Sequence, residues 1–104
     1  MALSRTVGGK ILIEEAKALT EAYQGNFPDE PKCYFVGAEH IEDILAHSGC
    51  VGIRIYKGLD KTTDKKTLVM IGVDANGKDL TDGPIVDRMK MCPDECDSSS
   101  SLVF

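Results

Sequence analysis

Two neighbouring stretches constrain the fold of this chain more than any others: Cys50-Val51-Gly52-Ile53-Arg54-Ile55-Tyr56-Lys57 and, after a charged turn, Lys66-Thr67-Leu68-Val69-Met70-Ile71-Gly72-Val73. In the first, Val51, Ile53 and Ile55 alternate with Gly52, Arg54 and Tyr56, the period of two that marks a strand with one buried face. In the second, apolar side chains occupy both faces, as in the central strand of a sheet. If helices cover the Val51, Ile53 and Ile55 side, Arg54 and Tyr56 project from the other beside two apolar positions of the neighbouring strand, whichever parity it presents there. A face that mixes apolar with cationic and aromatic groups suits a protein interface, so Arg54, Tyr56, Val69 and Ile71 are candidate interface residues. The alternative is an exposed sheet face with Arg54 and Tyr56 as its cover.

The rest of the chain supplies helices and turns. From Lys10 to Tyr23, Leu12, Ala16, Leu19 and Tyr23 recur at helical spacing with Glu14, Glu15, Lys17 and Glu21 elsewhere, which predicts an amphipathic helix stopped at Gly25. Pro28 and Pro31 forbid its continuation. Cys33-Tyr34-Phe35-Val36 reads as a short strand, and a second helix starts near Ala38, with Ile41, Ile44 and Leu45 on one stripe and Gly49 as its stop. The tip Gly58 to Lys65 is polar and long enough to move. Asn76-Gly77 is a tight-hairpin signal of type I′, leading into a third strand through Lys78-Asp79-Leu80, broken at Gly83-Pro84, with a continuation from Ile85 to Met91.

Composition removes several classes of function. At 104 residues, 42% hydrophobic and 28% charged, the chain is sized and composed for one globular domain. No apolar run reaches the roughly 18 residues of a membrane span, and Met1-Ala2-Leu3-Ser4-Arg5 lacks the apolar core of a signal peptide, which predicts a cytoplasmic address. The net charge is −5, and between Glu14 and Asp43 the acids Glu14, Glu15, Glu21, Asp29, Glu30, Glu39, Glu42 and Asp43 outweigh Lys17 and Lys32. Such a surface repels phosphate backbones, so nucleic acid is not an expected partner.

Chemistry is confined to the cysteines. Cys33 and Cys50 lie beside strand-like apolar residues and read as small core hydrophobes. Cys92-Pro93-Asp94-Glu95-Cys96 has a cysteine positioned to cap a short helix, where negative charge on sulfur is favoured. Asp94 and Glu95 oppose that by crowding the turn with carboxylates, and the spacing is not that of thioredoxin-like motifs. The same two sulfurs with His40, His47, Cys33 or Cys50 could ligate zinc, although only one local pair is present. Asp74-Ala75-Asn76-Gly77-Lys78-Asp79 departs from a calcium loop, since its glycine falls at the fourth position and Ile85 stands at the twelfth. Gly8-Gly9-Lys10 is too short for a Walker loop.

Gly-Cys-Val-Gly-Ile-Arg-Ile-Tyr (49–56), Leu-Val-Met-Ile-Gly-Val-Asp-Ala-Asn-Gly-Lys-Asp-Leu (68–80) and Cys-Pro-Asp-Glu-Cys (92–96) together resemble a group of small bacterial proteins of unknown function. The resemblance covers the second half and, loosely, the first helix; it implies a free-standing domain and supplies no activity, cofactor or partner.

The expected fold is α+β, with two helices packed on one face of a three- or four-stranded, mainly antiparallel sheet. Residues 1–97 form the expected domain and 98–104 a flexible tail, although Leu102-Val103-Phe104 is apolar for a free end. The expected function is a non-enzymatic binding or assembly module without a cofactor, paired as a homodimer or docked on another protein. Its alternatives are a thiol redox enzyme or sensor using Cys92 and Cys96, and a zinc-stabilised module.

Overall fold

The computed structural model describes residues 3–104. The chain is α+β, with two helices and antiparallel strand pairing throughout: α1 (Ile13–Asn26), β1 (Cys33–Phe35), α2 (Ala38–Ala46), β2 (Gly52–Asp60), β3 (Lys65–Val73), β4 (Ile85–Val86) and β5 (Lys90–Cys92). The strands form two sheets, one ordered β2-β3-β4 and the other β1-β5. The chain gathers into two compact units.

The first unit contains residues 3–7 and Val36–Met89. Its frame is the β2–β3 hairpin, paired in register from Gly52 opposite Val73 to Asp60 opposite Lys65. The strands therefore continue into the segment expected as a mobile tip. Only residues 61–64 turn, and the Asp60 carboxylate accepts a hydrogen bond from the Thr62 amide at 2.9 Å. α2 lies against β2 and β3. Ile44 is fully buried beside Cys50 and Met70, with Val36, Ile41, Ile53, Leu80, Val86 and Met89 packed around them, while Leu45 of the expected stripe is exposed. Gly72 lets β3 approach that cluster, because a Cβ there would meet Cys50 Sγ at 3.0 Å and Ile44 Cγ2 at 3.3 Å.

The Asn76-Gly77 turn forms, but not as type I′. Only Gly77 has positive φ, at 84°. The Gly77 amide donates to Asp74 O and the Asp74 amide to Lys78 O, both at 3.0 Å, the pattern of a type I turn followed by a left-handed bulge residue. The Asp74 carboxylate decides the form by accepting from the amides of Asn76 (2.9 Å) and Lys78 (3.0 Å). After one bridge between Val73 and Asp79 the chain leaves the sheet. The third strand is β4, with Val86 opposite Met70 and Ile85 opposite Ile71, and β5 belongs to the other sheet.

The second unit contains Gly8–Phe35 and Lys90–Phe104. In α1 the residues turned away from solvent are Ala16, Lys17, Thr20 and, most deeply, Gln24. The apolar stripe that the spacing predicts as the packing face is instead exposed, Leu12 by 69%, Leu19 by 65% and Tyr23 by 45%. Polar chemistry explains the choice of face. Gln24 Nε2 donates to Leu102 O at 2.9 Å, and Gln24 Oε1 accepts from the Phe104 amide at 2.7 Å. Just before the expected tail, the Asp97 carboxylate accepts from the Ser99 hydroxyl and amide, which hold it below the usual carboxylate range.

Gly77→Ala should destabilise the protein by about 1 kcal/mol, because alanine is strained at positive φ. Asn76→Ala, at ordinary backbone angles, should stay within about 0.5 kcal/mol of the parent. Urea midpoints of the two variants check this, and equal losses would contradict the turn assignment.

Candidate functional site

Pairing in β2 and β3 sets what each sheet face presents in the first unit. Arg54 lies opposite Ile71 and Tyr56 opposite Val69, so the four candidate interface residues do share one face. They do not form a free surface. Ile71 is only 5% exposed and its neighbour Val73 3%, while Val69 is half-buried. The expectation of Ile71 as a contact residue is therefore corrected: it is already covered within the chain.

Arg54 and Tyr56 are engaged by Asp79, which the sequence pattern marks only as part of the strand returning from the turn. Arg54 Nη1 donates to Asp79 Oδ1 at 2.6 Å and to Gly77 O at 3.1 Å, and the Tyr56 hydroxyl donates to Asp79 Oδ2. Asp79 is brought there by the turn and the Val73 bridge. The Tyr56 hydrogen bond, with Arg54 beside it, holds the Asp79 carboxyl below its ordinary range. Its hydrogen bond to Asp79 raises Tyr56, and the Arg54 guanidinium is likewise held in its charged form by Asp79. The signal for this cluster was an acid two residues past Asn76-Gly77, where a hairpin returns toward its strand. The trio has the chemistry of a clasp that ties the turn to β2.

A wide cleft of about 530 Å3 opens between residues 3–7 and β2, lined mainly by Leu3, Val7, Val51, Ile53, Ile55 and Val73. Arg5, Ser4 and Arg54 are its polar side chains, and no acid, histidine or thiol lines it among the described residues. On α2's C-terminal side, His47 Nε2 lies 3.3 Å from Asp82 Oδ1.

The four cysteines meet three fates. Cys50 is buried in the first unit, where its thiol donates to Gly52 O at 3.2 Å, as expected of a core residue. In the second unit Cys92 and Cys96 are joined in a disulfide with Cα atoms 4.8 Å apart, straddling a turn closed by the Glu95 amide on Met91 O at 2.8 Å. Cys33 is a free, exposed thiol, which corrects its reading as a core residue. It lies directly opposite Cys92 in the β1–β5 ladder. Among the described residues no three His, Cys, Asp or Glu side chains converge to hold a metal ion, and two of the sulfurs considered for zinc are bonded to each other.

Because the Asp79 carboxyl titrates lower in the folded protein than in the unfolded chain, its contribution is present above the unfolded value of about 3.9 and is lost as pH falls through the folded value. Asp79→Asn should therefore lower the urea midpoint at neutral pH and narrow its gap to the parent below about pH 4. A gap that stays constant on acidification would contradict the clasp.

No helix among the described residues is long and apolar enough to cross a membrane. No protein-family model, curated protein or solved structure matches the chain.

Proposed function

We propose that this chain is a small non-enzymatic assembly module of the cytoplasm that pairs with a second copy of itself along α1. The reading is carried by the exposed stripe of that helix. Leu12, Ala16, Leu19 and Tyr23 are spaced four, three and four residues apart, the alternation of a coiled-coil seam. Of these, Leu12, Leu19 and Tyr23 are the exposed groups that would meet a second helix, while the small Ala16 between them is partly turned inward. Phe27, 51% exposed, extends the stripe and packs its ring 4.9 Å from that of Tyr23.

The charge pattern favours a second copy as the occupant. Glu14 and Glu21 project from the opposite side of the helix at 3.6 residues per turn, so two copies meeting along the stripe keep these two carboxylates apart, with Glu15 at its flank. An exposed run of large apolar side chains rimmed by polar ones is a typical protein contact. The proposal moves the contact from the sheet face, where Arg54, Tyr56 and Ile71 are engaged or covered, to this helix.

Sedimentation of the purified protein at micromolar and higher concentration should give a dimer. Leu19→Glu combined with Tyr23→Ser should give a monomer with unchanged helix content by circular dichroism. A parent protein that stays monomeric across that range defeats self-pairing and leaves a different protein as the occupant of the stripe.

A further inference from the structure

Cys92 is within disulfide reach of two sulfurs at once. It is bonded to Cys96, and it faces Cys33 across the antiparallel β1–β5 ladder. Residues directly opposite each other in such a ladder have Cα atoms about 4.5 to 5.5 Å apart and side chains on the same face. A disulfide needs Cα atoms roughly 4.4 to 6.8 Å apart, so a bond between Cys33 and Cys92 fits the existing backbone pairing. Access differs among the three: Cys33 and Cys96 are exposed, whereas Cys92 is fully buried.

We propose that Cys33, Cys92 and Cys96 form a thiol–disulfide exchange site in which Cys92 is the shared central sulfur and the bridge alternates between Cys92–Cys96 and Cys33–Cys92. In the exchange Cys33 gives its proton to solvent and its thiolate electron pair attacks Cys92 Sγ. The Cys33–Cys92 bond forms as the Cys92–Cys96 bond breaks, and the bonding pair leaves on Cys96, which takes up a proton. One thiol and one disulfide stand on each side, so no oxidant or reductant is consumed. The outcome is a change in which exposed cysteine is free, and that free thiol is the group a thiol or disulfide on a partner would meet.

Two considerations support exchange over a static staple. A disulfide across four residues closes a very short loop, so chain entropy gives it less advantage than a bond from residue 33 to residue 92 would have. In the cytoplasm proposed for this chain, disulfides are mostly transient and serve redox sensing or catalysis.

The test uses the full chain, oxidised and equilibrated in a glutathione buffer, acid-quenched, alkylated and digested with trypsin. Cleavage after Lys32, Arg54 and Lys90 places Cys33 with Cys50 on peptide 33–54, and Cys92 with Cys96 on peptide 91–104. The expected map contains peptide 91–104 bridged internally and, in addition, the two peptides linked through Cys33 and Cys92, with Cys50 and Cys96 alkylated. Cys96→Ser should raise the linked pair to the dominant species, and Cys33→Ser should abolish it. The proposal is overturned if the unmodified protein yields no linked pair at any glutathione ratio, or if Cys96→Ser, folded by circular dichroism, keeps Cys33 and Cys92 as thiols. A linked pair joined through Cys50 would overturn it equally. Should Cys96→Ser fail to fold, the map of the unmodified protein decides alone.

Discussion

The register of the β2–β3 hairpin is the constraint on which the first unit rests. In a paired strand, successive side chains alternate between faces, so a slip of one residue would exchange every inward group for an outward one. The observed register puts Ile53 and Met70 on the side of Ile44 and Cys50, and puts Arg54, Tyr56, Ile71 and Val73 on the other. It also places Gly72 where β3 comes nearest to α2 and the Cys50 sulfur. A shifted ladder would bring Ile71 or Val73 to that close approach, with no room for either side chain. Steric exclusion at Gly72 thus adds to the hydrophobic pattern in selecting one alignment.

The same hairpin explains why the sheet offers no obvious docking face. Once Asp74 has shaped the turn, Asp79 returns beside β2 and occupies both Arg54 and Tyr56. Two charged groups and a phenol that look available in the sequence are mutually satisfied, and the apolar groups between them are covered. Exposed apolar surface also lies on a helix of the second unit, whose inward face is held by polar contacts.

Legibility followed the range of the determining interactions. The strands β2 and β3 were readable because alternation in one and two-sided hydrophobicity in the other are local patterns. The turn at Asn76-Gly77 was readable as a turn, but its conformation depended on the Asp74 side chain. Helical spacing located α1 within three residues at either end, yet it could not say which stripe turns inward, because that was decided by Gln24 meeting Leu102 and Phe104 some eighty residues later. Likewise the alignment of Cys33 with Cys92 comes from two three-residue strands far apart in the chain. Neither strand carries enough pattern to announce its partner, so the sulfur chemistry was visible only as a local pair.

Gln24 has a chemical consequence of its own. Its amide presents one hydrogen-bond donor and one acceptor to the backbone of residues two apart, much as a peptide group in a neighbouring strand would. Turning that amide by half a revolution would set nitrogen against N–H and oxygen against carbonyl, so both contacts hold or fail together. A carboxylate in its place has no donor at neutral pH, an ammonium has no acceptor, and an aliphatic group has neither. Residues 102–104 are therefore read by polarity rather than by shape: the position on α1 needs a side chain that donates and accepts at once.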